Sequence, residues 1–152
     1  MKRWTTLCLL AMAMAVTAHG GEAWWGLWNT GQGLGERTPL FGGTNDLYVR
    51  LTAQNSPLLV GGQVSGVRFY LSDKTPVRSV RVWLSANPSD TPLLSQEVAV
   101  ADLRDMTHDG APTVVSLAEA VDVLPASNPY ASIYVGYTIE TDDAPSAYMM
   151  AG

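Results

Sequence analysis

The sequence predicts an all-β protein, an antiparallel β-sandwich of jelly-roll-like form, with an Ig-like sandwich as the alternative. Three observations predict this class. Apolar and polar residues alternate with a period of two in one segment after another. Pairs of turn-forming residues separate these segments. No long window past the first twenty positions shows a helical stripe, and the best helical candidate, residues 98–106, is long enough for only one turn.

The first element is a predicted signal peptide over residues 1–18. Lys2 and Arg3 precede an apolar run over residues 7–16, and small residues follow it where a signal peptidase cuts. We expect cleavage after Ala18, with Ala23 as the alternative. A buried N-terminal helix is disfavoured because the apolar run has no polar face.

The charge and the cysteine content narrow the class further. Net charge is −5 for the whole chain, which argues against a protein that binds a nucleic-acid backbone. The single cysteine, Cys8, lies inside the predicted signal peptide near the start of its apolar run, so neither a lipid anchor on this residue nor a disulfide scaffold is expected. No transmembrane span is predicted past the signal. We expect an exported bacterial protein that is secreted, periplasmic or displayed on the cell surface.

A single sandwich domain is predicted over residues 24–152. Its strand-like segments are residues 47–53, 67–71, 80–84, 98–100, 114–117 and 133–139. Turns are predicted at Gly42-Gly43, Gly61-Gly62, Asn87-Pro88, Asp109-Gly110 and Asn128-Pro129. Residues 147–152 also read as a strand. Either this strand closes the sandwich or further domains follow Gly152, and we favour the second reading.

The order of these segments resembles a known class of module. The segments that carry the resemblance are Trp25-Gly26-Leu27-Trp28, then residues 62–69, 80–85 and 94–98, and finally Ile133-Tyr134-Val135-Gly136-Tyr137-Thr138. They are similar to the N-terminal β-sandwich modules of large secreted and surface proteins of Bacteroidetes-type bacteria. Such modules precede leucine-rich-repeat, Ig-like or cysteine-peptidase domains. The resemblance implies a non-catalytic extracellular module and carries over no catalytic residue.

Residues for nucleophilic catalysis are scarce, so we do not expect an enzyme. The mature chain has no thiol and only two histidines, of which His108 lies beside Asp105 and Asp109. No zinc-protease, P-loop or nucleophile-elbow motif occurs. A polar loop between strands is the expected role of this segment.

The same loop has partial calcium-loop spacing. Asp105, Thr107 and Asp109 place oxygen side chains at the first, third and fifth positions, with Gly110 at the sixth. The twelfth position is Ser116 rather than glutamate. We therefore expect no resident cofactor and favour a hairpin loop, with a weak Ca²⁺ site as the alternative.

Aromatic residues are the strongest candidates for binding. Trp24, Trp25 and Trp28 crowd the mature N-terminus, and Tyr134 alternates with apolar neighbours on a predicted strand. Exposed, such rings form a sugar-stacking or protein-docking surface; buried, they complete the core, and packing is favoured for the tryptophans.

The expected function is that of a secreted or surface-displayed binding module of the adhesion type. It would be the first domain of a longer protein and would contact an extracellular protein or glycan. A carbohydrate-binding module is the first alternative. A peptidase-associated prodomain or inhibitor is the second, suggested only by the resemblance.

Overall fold

The period-two alternation of the sequence is realised as two antiparallel sheets around one core, in a computed structural model. The structure describes residues 13–18, 21–25, 36–142 and 148–151, and side chains over residues 40–142. The predicted all-β sandwich class is confirmed. The finer choice between a jelly-roll-like and an Ig-like form stays a prediction.

Ten strands occur in the described residues. They are β1 (Ala13–Ala18), β2 (Gly21–Trp25), β3 (Glu36–Pro39), β4 (Gly43–Thr52), β5 (Gln63–Leu71), β6 (Val77–Ser85), β7 (Leu94–Val98), β8 (Thr113–Asp122), β9 (Ser132–Thr141) and β10 (Tyr148–Ala151). The helical structure in these ranges consists of two 3₁₀ turns, Pro57–Leu59 and Val100–Asp102. No described helix has the length and apolar character that crossing a membrane would require.

The smaller sheet has the strand order β4-β9-β6-β7. Strands β4 and β9 pair without interruption from Gly43↔Thr141 to Thr52↔Ser132. One face of this sheet carries Val80, Val82 and other apolar residues that are buried, whereas the opposite face carries exposed charged residues such as Arg81. Because side chains alternate across a strand, this pattern leaves one whole face of the smaller sheet outside the core.

The larger sheet is organised around β5. Its order is β2-β1-β5-β10-β3, and β8 also pairs with β5. Strand β1 lies inside the predicted signal peptide and pairs with residues 63–68 of β5. Cleavage after Ala18 would remove that strand, and the cleavage itself stays a prediction.

One continuous core joins the two sheets. Phe69 of β5 and Tyr137 of β9 stack across the middle with ring centroids 5.0 Å apart and planes 28° apart. The largest fully buried side chains are Tyr137, Phe69, Leu51, Leu59, Leu71, Leu84, Leu103, Ile139 and Val64.

One predicted strand differs from the structure. The alternation of residues 98–100 predicts a strand, but β7 ends at Val98 and a 3₁₀ turn begins at Val100. Leu103, directly after this turn, is buried in the core. The chain therefore turns where its alternation predicts a strand. The free energy gained by burying Leu103 is greater than that gained by extending a short exposed segment. The single helical turn expected in residues 98–106 is present at this place.

Candidate functional site

The outer face of the smaller sheet carries three aromatic side chains in neighbouring positions. Tyr48 of β4 and Trp83 of β6 both pair with Gly136 of β9, and Tyr134 lies two residues away on the same strand. The pairing register brings together residues that are far apart in the sequence. We refer to Tyr48, Trp83 and Tyr134 as the aromatic cluster.

Trp83 forms the floor of the aromatic cluster. Its indole lies against the backbone of Gly136, so close that a Cβ at this position would be 2.4 Å from Cζ2 of the ring. The indole Nε1 donates a hydrogen bond to Thr138 Oγ1 (3.2 Å), and that hydroxyl donates to Asp46 Oδ1 (2.7 Å). Only 7% of the surface of Trp83 is exposed, so its ring is packed in a second, smaller layer on the outer face of the sheet and is not an accessible ring.

The two tyrosines are the accessible part of the cluster. Tyr48 and Tyr134 are both half-buried. The ring centroids of Tyr48 and Tyr134 are 5.7 Å apart, and the two ring planes meet at 70°. The ring centroids of Tyr48 and Trp83 are 5.9 Å apart, and their planes meet at 50°. The exposed Arg50 places its Cζ 5.9 Å from the centre of the Tyr134 ring, within the range of a cation–π contact. This geometry offers ring edges and a guanidinium group to a ligand, and no flat stack of coplanar rings.

Among the predicted binding residues, the structure places Tyr134 on this outer face. Trp24 and Trp25 lie in β2, where side chains are not described, and Trp28 lies outside the described residues. The proposal of a tryptophan cluster at the mature N-terminus therefore stays a prediction. Tyr48 and Arg50 were missed because only the pairing of β4 with β9 brings them to Tyr134. The polar positions of the alternating pattern in β4 were the feature of the sequence that could have identified these two residues.

A second arrangement of functional groups is the loop of residues 105–110, which we call the Asp105 loop. Asp105 is fully buried. Its Oδ1 accepts the amide of His108 (2.6 Å), and its Oδ2 accepts the amide of Lys74 (2.9 Å) and lies 2.8 Å from Nδ1 of the His108 ring. The carboxylate thus closes its own loop and ties it to the turn between β5 and β6. Gly110 completes the loop with a φ of 62°, a conformation that suits glycine.

The other two residues of the weak Ca²⁺ alternative, Thr107 and Asp109, also make contacts inside the fold. Asp109 lies 2.8 Å from the Lys74 ammonium group and 3.3 Å from the Arg104 guanidinium group. Thr107 donates its hydroxyl hydrogen to the carbonyl of Ser72 at 2.6 Å. A calcium loop turns its oxygen atoms toward a common centre. Here the carboxylates turn toward amide, ammonium and guanidinium groups and the hydroxyl turns toward a carbonyl, which favours a hydrogen-bonded loop over the Ca²⁺ site. The loop is not the expected hairpin, because it connects β7 and β8, which lie in different sheets.

The electrostatics of the Asp105 loop follow from these contacts. Burial acts to raise the pKa of the Asp105 carboxyl, but hydrogen bonds from His108 and Lys74 outweigh it and lower the pKa from 3.8 to about 2. The hydrogen bond to Asp105, followed by the charge of that carboxylate, raises the pKa of the His108 imidazole above 6.5. Hydrogen bonding to Lys74 lowers the pKa of Asp109.

One group in this region has the composition of a metal site. Ligand atoms of Asp73, Asp105 and His108 lie within 4.8 Å of one another. His108 Nδ1 is nevertheless 4.0 Å from Asp73 and only 2.8 Å from Asp105, the separation of a hydrogen bond. An ion pair between Asp105 and His108, which closes the loop, accounts for this arrangement.

Comparison with known proteins adds no relative. No protein-family model, no curated protein and no solved structure matches this chain. The conclusions below therefore rest on the residues themselves.

Proposed function

We propose that this chain is a non-catalytic, exported binding module that contacts a partner outside the cytoplasm, in adhesion or in the positioning of neighbouring domains. The observation that carries the proposal is the accessible part of the aromatic cluster, Tyr48 and Tyr134, with Arg50 beside them on a sheet face outside the core. Tyrosine, tryptophan and arginine are the residues that most often dominate binding energy at protein interfaces.

The surroundings of the cluster support a protein partner. Asp46 lies next to it and holds Thr138, so a hydrogen-bond acceptor borders the rings. The same face carries both Arg81 and Glu97, opposite each other in the register. Charges of both signs around a central aromatic patch are typical of a protein interface with an apolar centre and a polar rim.

The test is binding of the fluorescently labelled chain, residues 19–152, to a panel of intact cells. We expect saturable binding that falls at least tenfold in Tyr134→Ala and in Arg50→Ala. The matched control is Tyr130→Ala, because Tyr130 is 87% exposed and lies in the turn before β9, outside the aromatic cluster. Equal loss in all three variants, or loss in none, would refute the proposal.

Carbohydrate binding is the second candidate function, and the same rings favour it. Tyrosine faces and edges pack against the C–H groups of sugars, and Arg50 and Asp46 could bind hydroxyl groups. The angle of 70° between Tyr48 and Tyr134 suits a single sugar ring better than a flat polysaccharide surface. Pretreatment of the cells separates the two candidates: binding lost after protease favours the protein partner, and binding lost after glycosidases favours the glycan.

A further inference from the structure

The free edge of β8 is a second surface with binding properties, separate from the aromatic cluster. Among the described strands β8 pairs only with β5, from Phe69↔Thr113 to Gly66↔Ser116 and, after a register shift, at Val64↔Val121 and Gln63↔Asp122. The edge strand of a sheet presents backbone N–H and C=O groups to whatever lies beside it.

A side chain already occupies part of this edge in the way a peptide would. Nε2 of Gln96 donates to the Ser116 carbonyl (3.0 Å), and Oε1 of Gln96 accepts the Ala118 amide (2.8 Å). One amide group therefore satisfies an acceptor and a donor on β8, as the peptide group of an added strand does. These two bonds show that the backbone groups of residues 116 and 118 point away from β5.

The edge continues beyond the reach of Gln96. By alternation, the backbone groups of Val114 point the same way as those of Ser116. The Val114 side chain is 54% exposed. Residues 114–118 contain no proline and no charge, the devices by which edge strands ordinarily avoid pairing.

The charges around the edge indicate what kind of chain fits. A shallow cavity of about 250 Å³ lies between β7 and β8, and its charged lining residues are both acidic, Glu97 and Asp102. Further along β8, Glu119 and Asp122 are exposed. Two arginines also border this region, Arg68 opposite Val114 and Arg81 opposite Glu97 in the registers, so the carboxylates are in excess but not alone. An edge with an excess of carboxylates is complementary to an extended segment that carries basic side chains.

We infer that the outer edge of β8 binds an extended segment of a partner protein, with apolar and basic residues alternating, as an added strand of the larger sheet. The segment pairs with the backbone at Val114 and displaces Gln96 from Ser116 and Ala118. The inference concerns a different surface from that of the proposed function, so each can fail without the other.

The test uses a blocked seven-residue peptide in which valine alternates with lysine and threonine, and a control peptide with glutamate in place of lysine. Fluorescence anisotropy measures the affinity of the chain for each. We expect saturable binding of the lysine peptide and at least tenfold weaker binding of the glutamate peptide. No saturable binding of the lysine peptide up to about 1 mM, the weak end of the affinity scale, would overturn the inference.

Three variants locate the binding. Val114→Lys places a charge on the edge and should weaken binding at least tenfold. Leu58→Lys is its matched control, because Leu58 is 71% exposed on the 3₁₀ turn after β4, and it should bind like the wild type. Gln96→Ala should strengthen binding several-fold, since it removes the internal competitor, whereas a merely structural Gln96 would leave the affinity unchanged or lower it.

Two results would contradict the assignment of edge and partner. Equal affinity of Val114→Lys and Leu58→Lys for the lysine peptide would exclude the β8 edge as the binding surface. Light scattering would detect a homodimer. A homodimer that dissociates in the Val114→Lys variant would mean that a second copy of the chain occupies the edge instead.

Discussion

At the scale of the residue, Asp105 is a buried carboxylate that accepts hydrogen bonds from two different loops. A buried carboxylate is costly unless donors surround it. Here two backbone amides and an imidazole supply them, from its own loop and from the turn after β5. The carboxylate therefore stabilises the junction of two loops that are about thirty residues apart in sequence.

Replacing Asp105 with asparagine should destabilise the fold. An amide cannot accept hydrogen bonds at both of its terminal atoms, so a buried donor, the Lys74 or the His108 amide, loses its partner. We expect the free energy of unfolding in urea to fall by about 1–3 kcal/mol. Asp90→Asn, at an exposed turn, is the control and should change it little. An unchanged midpoint in Asp105→Asn would contradict the role assigned to the carboxylate.

The contribution of the Asp105–His108 pair to the free energy of unfolding should fall both at high pH and at low pH. The pKa of His108 is raised, so its contribution is complete below about 6.5 and is lost as the pH rises through the higher value in the folded protein. The pKa of Asp105 is lowered, so its contribution is complete above about 3.8 and is lost as the pH falls toward 2.

Unfolding in urea as a function of pH checks this prediction. The stability difference between the wild type and His108→Gln should be largest near pH 5 and shrink as the pH is raised above about 6.5. The double variant Asp105→Asn, His108→Gln should show neither dependence. A difference between wild type and His108→Gln that grows with pH would refute the assigned ion pair.

At the scale of the element, β9 has a glycine, Gly136, near its centre. Glycine in a strand interior is unfavourable because it has no side chain to pack and loses much backbone entropy. Trp83 of the neighbouring strand compensates by covering Gly136 with its indole. Glycine and tryptophan form a matched pair, and the hydrogen bond to Thr138 holds the ring in place.

The pair should therefore show strong coupling in a double-mutant cycle. We expect Gly136→Ala alone to cost about 1–3 kcal/mol of unfolding free energy, because the new methyl group overlaps the ring. In a Trp83→Ala background the same change should be neutral or stabilising, because the overlap is gone and alanine suits a strand better than glycine. Equal effects of Gly136→Ala in both backgrounds would contradict the close approach.

At the scale of the whole molecule, the two sheets are held together by one apolar core. Residues of both sheets belong to a single cluster of buried side chains. Phe69 and Tyr137 are the largest of the fully buried residues, and their stacked rings connect the sheets directly. Because a single core serves both sheets, we expect them to unfold together.

Phe69→Ala tests this connection. Removing the ring should lower the free energy of unfolding by about 3–5 kcal/mol, from lost burial and the cavity that remains. The transition should stay single, with an unchanged dependence on urea. Phe41→Ala is the control, because that phenylalanine is largely exposed, and it should have little effect. Two separate transitions in Phe69→Ala would show that the sheets unfold independently.

Much of the smaller sheet could be predicted from local pattern. The alternation of residues 133–139 predicts a strand, and β9 spans Ser132–Thr141. Residues 98–100 show where local pattern fails, because a short run of alternating apolar and polar residues is found both in strands and beside turns. The position of Leu103 in the core decides between them, and that position is a tertiary fact.

The candidate sites were less predictable. Tyr134 could be selected as outward-facing from the alternation of its own strand. Its neighbours Tyr48 and Arg50 could not, because they lie more than eighty residues earlier and only the β4–β9 register brings them close. The Asp105 loop shows the converse: its spacing left a weak Ca²⁺ site as the alternative to a hairpin loop, and the direction of its carboxylate oxygens depends on donors such as Lys74, in a different turn.

By itself the sequence determined the all-β class, most of the strands and the polar or apolar side of each, because alternation and turn chemistry act between residues that are close along the chain. Only the tertiary structure decided which strands are neighbours, which rings meet over Gly136, where the Asp105 carboxylate points and which edge of β8 has no strand paired with it among the described residues. These properties depend on register and on packing between distant segments. Their energies arise from contacts that do not exist until the sheets have formed.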